Sequence, residues 1–134
     1  MLTYGDGLSN IDLKALLNFH KSCGKIGTVT AVRPPVRFGE LTIKNHQVEK
    51  FEEKPQASSS WINGGFFVFQ SKIFDFIKND STVFEREPLE TLTSNNELMA
   101  FQHKSYWQCM DTMRDKDSLN KLWNSGKAPW KLTR

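Results

Sequence analysis

The segment Trp61-Ile62-Asn63-Gly64-Gly65-Phe66-Phe67-Val68-Phe69 restricts the fold more than any other, because it is apolar almost without interruption. A strand with one wet face alternates apolar and polar residues; an unbroken apolar run must be covered on both faces, which predicts the centre of a sheet. The small polar loop Ala57-Ser58-Ser59-Ser60 leads into it. Gly27 to Arg33 is rich in β-branched residues and stops at Pro34-Pro35, where two amide donors are lost, so it reads as a second strand. Leu98 to His103 reads as a third. Phe38 to Ile43 and Gln47 to Glu53 flank Lys44-Asn45-His46 and predict a hairpin, although Val48 and Phe51 do not keep one alternation.

Helical spacing of Ile11, Ala15 or Leu16, and Phe19 predicts a helix running from Leu8, capped by Ser9 or Asn10 and ending at Gly24. Further helices are predicted over Ser71 to Lys78, over Phe84 to Asn95 with Pro88 in its first turn, and over Asp115 to Ser125 with Gly126 at the C-cap. Strands alternating with helices give an α/β fold. At 134 residues the chain is expected to be one domain, 1–134, burying roughly two-thirds of its unfolded surface.

Composition narrows the function. A net charge of +3 is spread along the chain with no block of five basic residues, so neither nucleic acid nor a membrane is expected as partner. No apolar run approaches the ~20 residues of a membrane span, and Met1 to Asp6 lacks the pattern of a signal peptide, so the chain reads as cytoplasmic. Cys23 and Cys109 form no CxxC pair and are expected to be buried, reduced thiols. His20, His46 and His103 have no ligand spacing to one another and read as surface or interface residues. Serine-nucleophile motifs and a GxxxxGK[ST] loop are absent. Phe66, Phe67, Phe69, Phe74 and Phe76 follow strand and helix faces and read as core.

The residues with chemical potential each carry a plainer reading beside the functional one. Asp6, between Gly5 and Gly7, is a metal-binding carboxylate at a strand end or a common Asp-Gly turn. Asp111, after an apolar stretch and before a helix, is a second metal ligand or an N-cap. A paired role has a rationale, since Mg2+ is held by one or two carboxylates with substrate phosphates completing its shell. Glu53 and Lys54 end a strand with charge, offering an acceptor for sugar hydroxyls and a compact cation for phosphate, or merely a solvated strand end. Asn63, Gly64 and Gly65 let backbone amides approach a ligand, or make a bend capped by the Asn. Met1 to Gly7 looks like the last residues of a strand and the functional turn beyond it, so the chain reads as the back half of something larger.

Taken in order, Thr3-Tyr4-Gly5-Asp6-Gly7, Val29 to Pro35, Arg37-Phe38-Gly39, Phe51-Glu52-Glu53-Lys54-Pro55, Trp61 to Val68 and Trp107 to Asp115 resemble the sugar-1-phosphate nucleotidylyltransferases, and within them the C-terminal half of the branch that joins CTP to glucose 1-phosphate. The tail Leu122 to Lys131 is similar as well. The resemblance implies a partial, Rossmann-like nucleotidyltransferase fold with a mixed sheet, flanking helices and a β-hairpin, without the N-terminal nucleotide-binding half. It implies Asp6 and Asp111 as ligands of Mg2+, Lys54 as the catalytic contact to the sugar phosphate, Glu53 for sugar hydroxyls, Gly39, Asn63 and Gly64 in the sugar pocket, and Arg114 near phosphate. It further implies a sugar 1-phosphate or nucleotide sugar as a weak ligand, a homo-oligomer such as a dimer, and a separate N-terminal partner chain. The family's GGxGTRL loop and its basic Lys-Pro segment are not in these 134 residues, so no independent transfer is expected; a binding or assembly module derived from the enzyme, or a decayed fragment, is the alternative.

Overall fold

The computed structural model describes residues 1–35, 39–53 and 60–131. Its main sheet has four strands: β1 (Leu2–Thr3), β3 (Gly27–Val32), β6 (Ile62–Phe69) and β7 (Leu98–Gln102), in the spatial order β1-β6-β3-β7. β6 runs antiparallel to both neighbours, whereas β3 and β7 are parallel, so the sheet is mixed. The apolar run is internal to the sheet, as its composition requires, and Phe67 is fully buried. Opposite Thr30, β6 carries extra residues: Asn63 pairs with Ala31 and Phe67 with Val29. The bulge lies at Gly64-Gly65-Phe66, where a Cβ on Gly64 would meet Val32 Cγ1 at 2.7 Å.

α1 (Leu13–Cys23) packs Leu16 and His20 against the sheet. Its N-cap is Asp12, whose carboxylate accepts the amide N–H of Lys14 and of Ala15 at 2.9 Å, and Gly24 closes it with φ +63°. The helix therefore starts later than its periodicity suggested, and neither Ser9 nor Asn10 is the cap. Gly7–Ser9 instead form β2, paired antiparallel with β8 (Trp107–Cys109). A 3-10 helix (Ser71–Phe76) and α2 (Glu87–Ser94) enclose a cluster of Ile26, Ile73 and Leu92, against which Phe69, Phe76, Phe84 and Leu98 pack. Phe74, expected in the core, is 70% exposed. α3 (Met113–Asn124) opens with a reciprocal Thr112–Asp115 capping box, which excludes Asp111 as its N-cap.

The predicted hairpin is β4 (Glu40–Lys44) and β5 (Gln47–Glu52), joined by Asn45-His46 with φ of 47° and 67°, positive at both residues as a two-residue turn of the I′ kind requires. A bulge leaves Glu49 out of the ladder register, since Thr42 pairs with Lys50 and Ile43 with Val48. That extra residue brings Val48 and Phe51 to the face of Leu41 and Ile43, which explains the broken alternation. Phe38 lies outside the described residues.

Two histidine expectations are corrected. His20 is buried with Nδ1 2.9 Å from Thr28 Oγ1, and His103 is buried with Nε2 3.0 Å from the Tyr106 carbonyl. Cys23 and Cys109 are half-buried and unlinked. No described helix is long and apolar enough to cross a membrane.

Burial holds the His20 imidazole below its ordinary value near 6.5, so the folded protein binds fewer protons there than the unfolded chain. Its contribution is constant above pH ~6.5, and stability falls as the pH drops below that value, where only the unfolded state protonates readily. Urea midpoints measured from pH 7.5 to 5 will fall toward acid, and His20→Gln will show a shallower fall.

Candidate functional site

The β2/β8 ladder decides where the two candidate metal ligands lie. Gly7 pairs with Cys109, Leu8 with Gln108 and Ser9 with Trp107, and the Met110 amide donates to the Asp6 carbonyl at 2.9 Å. That bond carries the register one rung past Gly7–Cys109 and sets Asp6 opposite Met110, the residue before Asp111, so the backbones of the two acids, remote in sequence, come near one another at one end of the ladder. Both are exposed. The Asp111 carboxylate accepts the Cys109 thiol at 3.1 Å and borders a cleft of about 290 Å³ with Pro34, Pro35, Ile62, Trp107 and Gln108.

No three acidic, His or Cys side chains gather into a metal-binding cluster among the described residues. A cation here would therefore depend on Asp6, Asp111 and phosphate oxygens from a ligand. That hard, oxygen-only donor set fits Mg2+, which keeps few protein ligands and takes the rest from phosphate and water.

Asn63 enters from the amino end of β6. Its Oδ1 accepts the Gly65 amide at 2.8 Å, and its Nδ2 donates to Tyr4 Oη at 3.3 Å. The bend-capping reading holds through the Gly65 bond, and the side chain is exposed. Gly65 has φ +76°, and a Cβ there would meet Tyr4 Cδ2 at 2.9 Å. Gly64 has a packing task independent of any ligand: a Cβ would meet Val32 Cγ1 at 2.7 Å, and its carbonyl accepts Trp107 Nε1 at 2.8 Å. Through that bond β8 is tied to β6, joining Asp111's strand to Asn63's.

Gly39 and Glu53 meet at the open end of the hairpin, where a Cβ on Gly39 would lie 3.2 Å from Glu53 Oε2. Lys54 lies outside the described residues. Arg114 is exposed in the first turn of α3.

Sequence reasoning missed Tyr4 and Glu85. Tyr4 Oη donates to Glu85 Oε1 at 2.6 Å, and its ring packs on Phe67 with centroids 5.5 Å apart. Partial burial, the Glu85 carboxylate and the Asp6 charge push the phenol up to about 12, against a smaller opposing effect of Asn63, while the hydrogen bond from Tyr4 holds Glu85 below its usual range. The Asp6 effect also ties that carboxylate electrostatically to Tyr4. Glu85 carries no motif, and only Tyr4's place beside Gly5-Asp6 could have drawn attention to the pair.

Ser9 and His103 are not a nucleophilic pair. Ser9 Oγ donates to the Tyr106 carbonyl at 2.8 Å, and His103 Nε2 lies 3.0 Å from the same oxygen, which can only accept. With its hydroxyl hydrogen on that carbonyl, Ser9 does not present it to the ring. Beside them lies a wider polar cleft of about 700 Å³, in which Arg33 sits 4.7 Å over the Trp61 ring.

Tyr4 and Tyr106 are the only tyrosines. In a Tyr106→Phe background, phenolate absorbance will report Tyr4 alone, with a midpoint near pH 12, and Glu85→Gln will lower it because the anionic acceptor is lost.

Comparison with known proteins gives a consistent picture. A family model described as nucleotidyl transferase matches residues 1–125. The chain is 53% identical over 131 residues to the glucose-1-phosphate cytidylyltransferase of Salmonella typhimurium, covering 98% of this chain and 51% of that protein. It is 37% identical over 110 residues to the mannose-1-phosphate guanylyltransferase catalytic subunit beta of Dictyostelium discoideum, covering 78% of this chain and 30% of that one. The crystal structure of HddC from Yersinia pseudotuberculosis superimposes with a TM-score of 0.61 at 23% identity, over 89% of this chain and 52% of that one. The chain thus spans about half the length of the cytidylyltransferase it matches, and its mixed α/β architecture is that of part of a nucleotidyltransferase fold.

Proposed function

Because the chain belongs to the nucleotidyl transferase family, we propose that its 134 residues supply the metal- and sugar-phosphate-binding part of a sugar-1-phosphate cytidylyl transfer. What supports this is the Met110–Asp6 backbone bond beyond the end of β2/β8, which brings Asp6 opposite the residue before Asp111, with β8 tied through Trp107 to the strand that carries Asn63. In the proposed reaction an oxygen of glucose 1-phosphate attacks the α-phosphorus of CTP, the bond to the β-phosphate breaks, and pyrophosphate departs with its electron pair. Mg2+ held by Asp6 and Asp111 would neutralise charge on the phosphates. Glu53, beside Gly39, accepts sugar hydroxyls; Asn63 and the backbone near Gly64 line the sugar; Lys54 and Arg114 face phosphate. The reading places the protein in the cytoplasm.

Positioning and preorganised charge supply most of the barrier reduction in such transfers. Without a GGxGTRL loop, the 134 residues are expected to form no CDP-glucose but to bind glucose 1-phosphate with Mg2+ at Kd ~1 mM, about −4 kcal/mol. Amide shifts near Asp6, Asn63 and Asp111 on titration support the reading; shifts confined elsewhere at high ligand, or pyrophosphate release abolished by Asp111→Ala, each refute part of it.

Self-association belongs to the same proposal. Among the described residues β1 pairs on one side only, and Leu41, Ile43, Val48 and Phe51 expose a shared apolar face on the hairpin, a combination suited to a second copy of the chain. Sedimentation at micromolar concentration is expected to show a dimer that Phe51→Lys dissociates; a single species near 15.5 kDa would exclude it.

A further inference from the structure

We infer that Tyr4 and Glu85 are positioning residues that lock the Asn63 carboxamide into one orientation. This deepens the proposed function, since it rests there on the assignment of Asn63 to the sugar-phosphate site.

The hydrogen bonds form a chain with one direction. The Gly65 amide can only donate, so the Asn63 atom 2.8 Å from it is the oxygen, and the nitrogen faces Tyr4. Tyr4 Oη then accepts from Asn63 Nδ2 at 3.3 Å and donates to Glu85 Oε1 at 2.6 Å. A carboxylate accepts only, which fixes the phenolic hydrogen and turns the lone pair toward Asn63. Reversing the carboxamide would set its NH2 against the Gly65 N–H and its oxygen against the phenol, losing both bonds. Tyr4 is itself held by its backbone, whose N–H donates to the Gly65 carbonyl at 2.9 Å, and by its ring on Phe67. Gly65, without a Cβ, admits that ring. Glu85 reaches the relay from the turn before α2, 81 residues away, so the orientation of Asn63 depends on how that turn packs. The low-lying Glu85 carboxyl keeps the acceptor ionised near neutrality. With one Nδ2–H and one Oδ1 lone pair engaged, Asn63 offers a ligand its second N–H and second lone pair in fixed directions, a donor and an acceptor suited to adjacent hydroxyls.

The test has a readout that needs no ligand. In the free chain, NMR exchange of the Asn63 side-chain NH2 with water is expected to rise at least threefold in Tyr4→Phe and in Glu85→Ala. Glu85→Gln will keep it near the starting value, because its amide oxygen still accepts from the phenol. Unchanged exchange in both Tyr4→Phe and Glu85→Ala overturns the inference. Titration with glucose 1-phosphate gives the second readout: Tyr4→Phe is expected to weaken binding severalfold when Asn63 is present and to change nothing in an Asn63→Ala background. Equal weakening in both backgrounds refutes positioning. Should the unmodified chain show no binding of glucose 1-phosphate, the proposed function fails while the exchange measurement still decides the relay. Thermal melts check Tyr4→Phe, and Glu85→Ala, an exposed substitution, carries the test if Tyr4→Phe unfolds.

Discussion

At Gly64 the backbone of β6 comes so near β3 that a methyl group would meet Val32 Cγ1 at 2.7 Å and the Thr30 carbonyl at 3.0 Å. Most of the molecule depends on that approach. It lets the fully buried Phe67 sit in the middle of the sheet, an apolar burial of roughly 1.5–3 kcal/mol. It also turns the Gly64 carbonyl toward Trp107, which attaches β8, and the next residue, Gly65, turns left-handed under the Tyr4 ring. Pairing, core and site converge on two positions where a larger residue would run into Val32 or the Tyr4 ring.

How much of this was legible in the sequence follows from the range over which each signal acts. The β6 run was visible because burial on both faces writes itself into consecutive residues, and the hairpin was visible because its turn needs particular residue types. β2 was hidden: Gly7–Ser9 is three residues long, and its pairing partner lies near residue 108. Its neighbours also belong to a helical pattern, which drew Ser9 and Asn10 into a cap that Asp12 makes instead. Phe74 was misplaced because a 3-10 helix repeats every three residues, so Ile73 and Phe76 share the inward side and Phe74 turns out. His20 and His103 are buried because Thr28 and the Tyr106 carbonyl meet their ring nitrogens, and partners that distant leave no local trace.

The candidate site was legible as a set of residue types but not as an arrangement. Asp6 and Asp111 stood out as acids at the ends of apolar segments, each with an innocent alternative; the capping box at Thr112 removed one of them. Glu85 could not have been found, since an acid among Val83, Phe84 and Arg86 in a polar turn acquires meaning only through a hydroxyl 81 residues away.

The three-rung ladder between β2 and β8 has a consequence for how such a site comes into being. Its rungs join Gly7 to Cys109 and Ser9 to Trp107, so closing that ladder requires nearly the whole chain to be in place. No local segment of the unfolded polypeptide can hold the two carboxylates together beforehand. On the proposed reading, a cation or phosphate ester that needs both would therefore have no competing reservoir in partly formed states, and its binding energy would act as a thermodynamic lock on the completed topology.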